Sequence, residues 1–360
     1  MRSTGAVAFL LALVAASCAA SSGGSAVAPP RLSAPPSGLE PGVPWQARLT
    51  APAGGTRPVV SATDGTRTLR FTAARRSRGT YTVRLSFPHT GSWRLATVVG
   101  GRRHALHPVR VTLDVVEAYK VVVDRDGTLL VADANHGNGR VVRIDPATGR
   151  RSVAVRPGGR VYSVAVGPDG LVYVVAANRV WRIETNGRLA PIAELVDAFA
   201  VAFAPGRLYV SQQTSPVIKA VDLATGTVRS FASGFDQPLG MTTLADGMLL
   251  VADSHHGKVV ALTPDGAATT FHDGMTLPVD VSLGRDGTVL VVDHVAHDAP
   301  GRILRRGADG RVTVLSEGRA IALTSAAEAP DGTVYATSFD SRYPVGALDP
   351  ATGELRPLPR

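Results

Sequence analysis

Cysteine, lysine and aromatic residues are scarce in this chain of 360 residues, of which only 5% are aromatic. Cys18 is the single cysteine, so an intramolecular disulfide and a thiolate metal cluster are excluded. Lysine occurs only at Lys120, Lys219 and Lys258, and arginine supplies the remaining basic residues. The Gly-x-Ser-x-Gly elbow, the Walker loop and the His-Glu-x-x-His motif are all missing, which removes three well-defined catalytic signatures.

The first eighteen residues have the pattern of an export signal. Arg2 supplies a positive start, and the apolar run from Ala6 to Ala16 is too short to span a bilayer as a helix. The run closes in Ala-Ala-Ser-Cys at 15–18, which resembles a bacterial lipobox. We therefore predict a lipoprotein signal peptide over 1–18, lipidation of Cys18, a flexible tether over 19–30 and a location on the outer side of the cytoplasmic membrane. The alternative is an ordinary cleavage site beside an unrelated cysteine.

Residues 31–115 alternate between apolar and polar positions with the period of a β-strand. Gly and Pro clusters separate the runs, and no stretch has helical spacing, so the pattern predicts a small antiparallel β-sandwich. The stretch from Gly79 to Leu95 resembles the paired last strands of immunoglobulin-like modules of bacterial secreted proteins. That resemblance implies the sandwich and nothing about function.

The positive charge of the chain is concentrated in this region. Residues 31–115 hold thirteen arginines against three acidic residues, whereas the whole chain carries a formal net charge of +9. Arg70, Arg84 and Arg94 alternate with predicted core residues, so we expect them on one basic face that contacts anionic lipid or an acidic wall polymer. The alternative is a solvated face. Nucleic acid is not an expected partner, because no aromatic or helical motif accompanies the charge.

Six turns that end in glycine recur between residues 126 and 332, at spacings of 36 to 45 residues. Their glycines are Gly127, Gly170, Gly206, Gly247, Gly287 and Gly332. A short apolar strand follows each turn, and a period near 40 residues in an all-strand pattern predicts a propeller with one four-stranded blade per repeat. The predicted fold is therefore all-β, with a β-sandwich over 31–115 followed by a six-bladed β-propeller over 116–360.

The repeat unit resembles NHL-repeat propellers and their SMP-30/gluconolactonase-like relatives. The resemblance is carried by the glycine turns, by the Val-Ala-Asp strand ends at 131–133 and 251–253, and by the Asp-x-x-Thr-Gly hairpins at 145–149, 222–226 and 349–353. It implies six blades around a channel. Because those relatives include lactonases, streptogramin lyases and binding proteins, it implies no single function.

The strand order assigns one face of the predicted ring as the binding face, because the first strand of each blade begins where the loop between strands two and three lies. The first strands supply Glu117, Tyr119, Tyr162, Asp197, Phe199, Gln237 and Asp280. The loops supply Asp133, Asn135, His136, Asp253, His255, His256, Asp293, His294, His297 and Asp298. We expect a polar-ligand or metal site at this mouth of the channel.

Carboxylates that converge on an axis suit Ca²⁺, and imidazoles suit Zn²⁺. Glu117, Asp197 and Asp280 are the predicted ligands of one divalent metal, because they lie nearest to the axis. For the loop aspartates the alternative is structural, since they stand where the resemblance places a carboxylate that caps backbone N–H groups of the following turn. For the loop histidines the alternative is simple exposure in loops.

Three functions follow from these patterns. The first is a lipid-anchored binding protein whose propeller face recognises a small molecule, glycan or peptide. The second is a metal-dependent lactone or ester hydrolase or lyase, in which His294 or His297 would serve as the base. The third is a protein-interaction platform in the cell envelope. The platform would need a contiguous aromatic patch, and the sequence does not indicate that Tyr119, Tyr162, Tyr173, Trp181 and Tyr209 cluster.

Overall fold

The computed structural model describes residues 28–52, 56–294, 300–340 and 342–359, and it is all-β. Short 3₁₀ turns at Asn135–Gly137 and Arg285–Gly287 are the helical elements of the described residues. The predicted signal peptide, Cys18, most of the predicted tether, and His297 with Asp298 lie outside the described residues. Among the described residues, no helix is both long and apolar enough to cross a bilayer.

The N-terminal part forms two sheets. The first has the order β1-β2-β6-β5, and the second has the order β4-β3-β7-β8 with β9 paired to β7. The strands are β1 Arg31–Leu32, β2 Trp45–Thr50, β3 Val59–Thr63, β4 Thr68–Thr72, β5 Ala74–Ser77, β6 Thr80–Leu85, β7 Gly91–Val99, β8 Arg102–Ala105 and β9 Val109–Val111. Strict alternation sends one side of each sheet into a shared core, as in β2, where Trp45, Ala47 and Leu49 are buried and the residues between them are exposed.

The predicted basic face is wrong in one respect. Arg70, Arg84 and Arg94 are all exposed, but Arg84 lies on β6 in the first sheet, whereas Arg70 and Arg94 lie on β4 and β7 in the second. Because the two sheets share one core, their outward faces point in opposite directions. Alternation within a strand correctly indicates which side chains point outward, but it does not indicate to which sheet a strand belongs.

Six four-stranded antiparallel sheets follow along the chain, which is consistent with a β-propeller. Their strands are β10 Ala118–Val123, β11 Leu129–Asp133, β12 Arg140–Ile144 and β13 Arg151–Val155; β14 Val161–Val166, β15 Val172–Ala176, β16 Arg179–Ile183 and β17 Leu189–Glu194; β18 Ala198–Ala204, β19 Arg207–Gln212, β20 Val217–Asp222 and β21 Val228–Ser233; β22 Pro238–Thr243, β23 Leu249–Asp253, β24 Lys258–Leu262 and β25 Ala268–His272; β26 Pro278–Leu283, β27 Val289–Asp293, β28 Pro300–Arg306 and β29 Val312–Ile321; and β30 Leu323–Glu328, β31 Val334–Ser338, β32 Val345–Leu348 and β33 Leu355–Pro357. Each sheet uses one continuous segment of chain.

The first strands of these sheets contact one another in sequence order, and β30 of the last sheet contacts β10 of the first. Among the described residues, neither the first nor the last of the six sheets contains a strand from the other end of the chain. Side-chain contacts therefore join the last sheet to the first. Thr324 Oγ1 donates to the Ala118 carbonyl at 2.7 Å, and the Val121 N–H donates to Ser325 Oγ at 3.3 Å. Apolar side chains of both sheets form one buried cluster there.

An arginine joins the N-terminal part to the first of these six sheets. Arg140 on β12 is 2% exposed, and its guanidinium donates to Asp133 at 2.9 Å and to Glu40 of the N-terminal part at 3.0 Å. The same guanidinium also donates to the Asp114 carbonyl. A buried guanidinium with its donors satisfied from both sides fixes the angle at which the two parts meet.

Candidate functional site

A β-bulge interrupts the beginning of every first strand, from β10 to β30. A bulge adds one residue on one strand and redirects its side chain. In β10 the register passes from Ala118 directly to Lys120, so Tyr119 is the added residue, and Tyr162 has the same place in β14. Phe199 lies within the wider bulge of β18. The repeated irregularity therefore brings aromatic side chains from three neighbouring strands to the same level of the channel.

These rings form one contiguous aromatic cluster. The ring of Tyr119 lies edge-on to Tyr162 at 5.1 Å, to Phe339 at 4.9 Å and to Phe199 at 6.1 Å between centroids. Tyr162 and Phe199 stack at 5.6 Å. The sequence-based expectation that aromatic residues do not cluster is wrong for Tyr119 and Tyr162, although Tyr173 and Tyr209 are buried elsewhere.

A second repeated contact fixes the loops that follow the second strands. In each case the residue that follows the second strand of a sheet donates its N–H to the carbonyl of the residue just before the first strand of that sheet. Gln213 donates to Asp197 at 2.9 Å, His294 to Leu277 at 2.9 Å and Phe339 to Ala322 at 3.0 Å. Because this bond recurs from sheet to sheet, it places Gln213, His294 and Phe339 at equivalent positions around the channel.

Left-handed backbone conformations occur at the same level. Asp197, Gln237 and Ala322 have φ values of 53°, 60° and 51°, a region that non-glycine residues seldom occupy. All three stand immediately before a first strand. Such conformations persist only where surrounding contacts enforce them, and they concentrate at binding sites.

Several of these residues line a cavity of about 380 Å³ at the end of the channel where the first strands begin, which we call the upper mouth. Its lining residues are Tyr119, Phe199, Gln213, Gln237, Leu239, Leu277, Val279, His294, Leu323, Thr324 and Phe339. No aspartate, glutamate, lysine or arginine occurs among these described lining residues. The upper mouth is therefore apolar and aromatic, with a few neutral hydrogen-bonding groups.

His294 contributes an imidazole ring to the upper mouth. It is 5% exposed, and its Nδ1 lies 2.9 Å from the Leu323 carbonyl. Because a carbonyl only accepts, Nδ1 carries the proton, and in the neutral ring Nε2 carries the lone pair. The fold thus sets both the orientation and the tautomer of His294.

The residue that follows the bulge of a first strand lies one level deeper in the channel. Three such residues, Lys120, Asp280 and Ser325, interact there, and we call this layer the channel floor. Lys120 Nζ donates to Asp280 Oδ1 at 2.6 Å and to Oδ2 at 2.9 Å, and Ser325 Oγ donates to Oδ2 at 2.6 Å. The side chains of Lys120 and Asp280 are 14% and 3% exposed. This buried ion pair joins the first sheet to the fifth across the sixth.

Beneath the floor, the opposite ends of the same strands enclose a second cavity of about 420 Å³, the lower mouth. Val123, Val166, Phe203 and Leu283 contribute apolar walls. Lys120 reaches this cavity from above. The channel therefore holds two cavities with a charged layer between them.

Burial raises the pKa of the Tyr119 phenol above its ordinary value, and the neighbouring Tyr162 raises it further. Arg160 opposes that rise through a hydrogen bond and its charge. Tyr119 is therefore a neutral hydrogen-bonding group at physiological pH.

The three carboxylates predicted as metal ligands have separate partners. Asp280 pairs with Lys120, Glu117 accepts from the His136 N–H at 2.7 Å, and Asp197 accepts from Thr214 Oγ1 at 2.5 Å. Within the described ranges, no group of three or more His, Cys, Asp or Glu side chains could hold a metal ion. Glu117, Asp197 and Asp280 therefore do not form a shared donor set.

Of the predicted loop histidines that the structure describes, His294 lines the upper mouth and the other three do not. His136 is exposed and pairs with Glu117, His255 pairs with Asp236 at 3.0 Å, and His256 pairs with Asp253 at 2.8 Å. None of His136, His255 or His256 lines the cavity. Each of these histidines therefore pairs with a carboxylate near its own loop, outside the cavity.

Asp133, Asp253 and Asp293 are buried, and they bond backbone N–H groups as the structural alternative expects. The groups they bond are different from those expected. Asp133 accepts from the N–H of Glu117 at 2.9 Å and Asp293 from that of Leu277 at 2.7 Å, so they cap the segment before the first strand and not the following turn. Each cap thereby fixes the entry of a strand into the upper mouth.

The structure also adds lining residues that sequence reasoning missed, chiefly Gln213 and Phe339. Both directly follow a second strand, as His294 does. Aligning the six repeats at that position would have found them, because the position is equivalent in each sheet. The aliphatic side chains of Leu239 and Val279 are less recognisable from sequence, since a single apolar residue in a strand is ordinary.

No family model matches the chain, and no curated protein sequence matches it. Solved structures do resemble it, at sequence identities that show the fold alone. Its structural neighbours are β-propellers of the NHL and SMP-30-like type.

Three neighbours illustrate the range. An auxiliary nutrient binding protein from Bacteroides thetaiotaomicron has a TM-score of 0.53 and 10% identity, over 89% of this chain and 98% of that one. Virginiamycin B lyase from Staphylococcus aureus has a TM-score of 0.50 and 14% identity, over 82% and 97%. A gluconolactonase-like protein has a TM-score of 0.51 and 16% identity, over 62% and 86%. One architecture thus serves both binding and catalysis.

Proposed function

We propose that this protein is an extracytoplasmic binding protein that recognises a neutral small molecule at the upper mouth. In this proposal the six sheets are the blades of a six-bladed propeller over residues 116–360. An immunoglobulin-like sandwich over 31–115 carries the propeller, and a lipid on Cys18 anchors the chain to the membrane. The neighbouring nutrient-binding propellers support a binding role, although the likeness itself concerns the fold.

The observation that carries the proposal is the chemistry of the upper mouth. Its rings and aliphatic side chains suit an apolar surface, and the amides of Gln213 and Gln237 offer neutral donors and acceptors. A charged ligand would find no opposite charge among the described lining residues. A sugar ring, or an apolar group of a short peptide, has the required combination of an apolar face and neutral polar edges.

The test is a panel of neutral mono- and disaccharides and blocked apolar dipeptides, screened by thermal shift and followed by calorimetry. We expect at least one class to bind, and Phe199→Leu to weaken it by about tenfold through loss of aromatic contact. Phe203→Leu is the matched control, because it alters the same strand at the lower mouth, where Phe203 contacts Tyr173 at 4.8 Å. Equal losses in the two variants, or no binding of any compound in this neutral panel, would contradict the proposal.

A second candidate is a lyase or hydrolase that acts on a neutral lactone or ester. The observation that favours it is His294, whose tautomer and orientation are set inside the cavity. Turnover of a lactone panel by the wild type, lost in His294→Gln while Phe199-dependent binding persists, would support it. Binding without turnover by the wild type leaves the binding function.

The proposed anchor is tested separately. Mass spectrometry of the membrane fraction should find an acylated Cys18, and Cys18→Ser should release the protein from that fraction. An unmodified Cys18 at the membrane, or unchanged fractionation of the variant, would contradict the anchor and leave the ligand proposal untouched.

A further inference from the structure

The outward side of the first N-terminal sheet carries four arginines, which we call the arginine face: Arg31, Arg48, Arg76 and Arg84. All four side chains are exposed. Register places three of them on one side, because Arg31 pairs with Thr50 and Arg84 pairs with Gln46, in a strand where Gln46, Arg48 and Thr50 alternate with the core. Arg76 lies at a register irregularity of β5 and joins this side through its hydrogen bond to Thr82.

Three of these arginines surround one threonine. Thr82 pairs across the sheet with Arg48, lies two residues from Arg84 on the same strand, and accepts a hydrogen bond from Arg76 Nε at 3.0 Å. Arg48 and Arg84 are diagonal neighbours on the paired strands, roughly 7–8 Å apart, and their like charges repel each other. The face therefore concentrates positive charge in a small area.

No acidic residue stands in the four strands of this sheet. The acids of the N-terminal part lie against the rest of the chain instead. Glu40 pairs with Arg140 at 3.0 Å and with Arg156 at 2.7 Å, and Asp64 lies 3.5 Å from Arg150. The charge of this part is thus divided, with carboxylates toward the propeller and unneutralised guanidinium groups on the arginine face.

We propose that the arginine face docks on the anionic phospholipid surface of the membrane. Two observations select the membrane as the occupant. One is charge complementarity, and the other is that the first strand after the predicted tether belongs to this sheet. Strand β1, which begins at Arg31, is part of this sheet, and the predicted tether of twelve residues over 19–30 would span about 20 Å by the scaling of flexible linkers. The inference rests on the proposed anchor at Cys18, which would hold this sheet within reach of the headgroups.

Docking would also orient the propeller. Arg140 holds the N-terminal part against the first blade through buried bonds, so fixing one sheet on the membrane fixes the direction of the upper mouth. A basic residue near an anionic membrane strengthens binding by about fivefold.

The test uses the full chain with Cys18→Ser, so that no lipid contributes, and vesicles of phosphatidylcholine with increasing phosphatidylglycerol. We expect binding to rise with phosphatidylglycerol and to weaken at high salt. Arg48→Gln with Arg76→Gln and Arg84→Gln should weaken it at least about tenfold. The corresponding lysine triple variant, which keeps the charge, should bind nearly as well as the parent and shows that the sheet still folds.

The matched control removes the same charge from the opposite sheet. Arg70→Gln, Arg94→Gln and Arg103→Gln alter three exposed arginines on the outward side of β4, β7 and β8. This triple variant should lose less than about threefold, because its face points the other way. Equal losses in the two triple variants would mean that net charge alone acts, and they would overturn the proposal.

Two further results would overturn it. One is vesicle binding that does not change with the phosphatidylglycerol content. The other is binding to a soluble phosphodiester wall polymer that depends on the arginine face while vesicle binding does not. Because Cys18 acylation is measured independently by mass spectrometry, failure of docking can be distinguished from failure of the anchor.

Discussion

The upper mouth and the channel floor are built one residue apart, yet they have opposite character. Tyr119 and Val279 belong to the mouth, whereas Lys120 and Asp280, the next residues along the same strands, belong to the floor. The mouth is an aromatic cavity with neutral polar groups, and the floor is a buried ion pair between the two cavities.

The difference arises from the bulge at the start of each first strand, which directs two successive residues to separate levels of the channel. Side chains at the mouth can therefore change without disturbing the bonds between sheets at the floor. We infer that ligand recognition and stability are assigned to neighbouring layers, and the following variants test that separation.

The largest effect is expected from Asp280→Asn. The change leaves Lys120 buried without its counter-ion, and breaking a buried pair costs about 3–5 kcal/mol of unfolding free energy. Urea denaturation followed by circular dichroism would measure it. Replacing both partners, as in Lys120→Met with Asp280→Leu, should recover most of the loss. A double variant as unstable as Asp280→Asn would show that the floor does not act as an ion pair.

Gly240→Ala should come next. A methyl group at this position would meet the Asp280 Cα at 2.6 Å and would also contact its carboxylate, so the fifth sheet would have to shift. Overpacking of this kind costs about 1–3 kcal/mol. The measurement is again urea denaturation, and an unchanged midpoint would mean that the floor has more space than the structure indicates.

Ser163→Ala provides a contrast within the same layer. Ser163 is 2% exposed and its hydroxyl has no hydrogen-bond partner among the described residues, whereas the hydroxyl of Ser325 donates to Asp280. Removing an unsatisfied buried hydroxyl should be neutral or stabilising by up to about 1 kcal/mol. Ser325→Ala should instead destabilise by about 1–2 kcal/mol, because it removes a bond to a charged group. Equal effects in the two variants would contradict the assigned roles.

The smallest effect concerns Tyr119 and pH. Its pKa is raised in the folded state, so the unfolded chain loses this phenolic proton first as pH rises through 10.0, and stability falls from there upward. Tyr119→Phe should therefore lose less stability than the wild type between pH 9 and about 11. Thermal melts across that range measure the difference. A Tyr119→Phe protein with the same alkaline loss would show that this phenol is not desolvated.

The turns and strands were predictable because their signals are local. Each glycine turn, such as Asp126-Gly127 or Asp246-Gly247, is followed by a strand, as at Leu129–Asp133 and Leu249–Asp253. Glycine at positive φ and short apolar runs act over a few residues, so they can be recognised in the sequence. The strand order then correctly indicated that Tyr119, Phe199 and Gln237 approach one mouth.

The contacts across the channel could not be predicted in the same way. Asp280 was expected to face a ligand or a metal, but it lies one layer lower and pairs with Lys120, which is 160 residues away in the chain. No local pattern marks the bulges that separate the two layers. The division of Arg84 from Arg70 and Arg94 has the same origin, because strand pairing decides which sheet each residue joins.

The sequence by itself determined the all-β class, the period of about 40 residues and the outward direction of the arginines, because these depend on short-range backbone preferences and alternation. Only the tertiary structure decided which rings meet, which carboxylate finds a lysine and which arginines share a face. Those outcomes depend on the register of strands distant in sequence, and a shift of one residue exchanges a ring in the mouth for a charge in the floor.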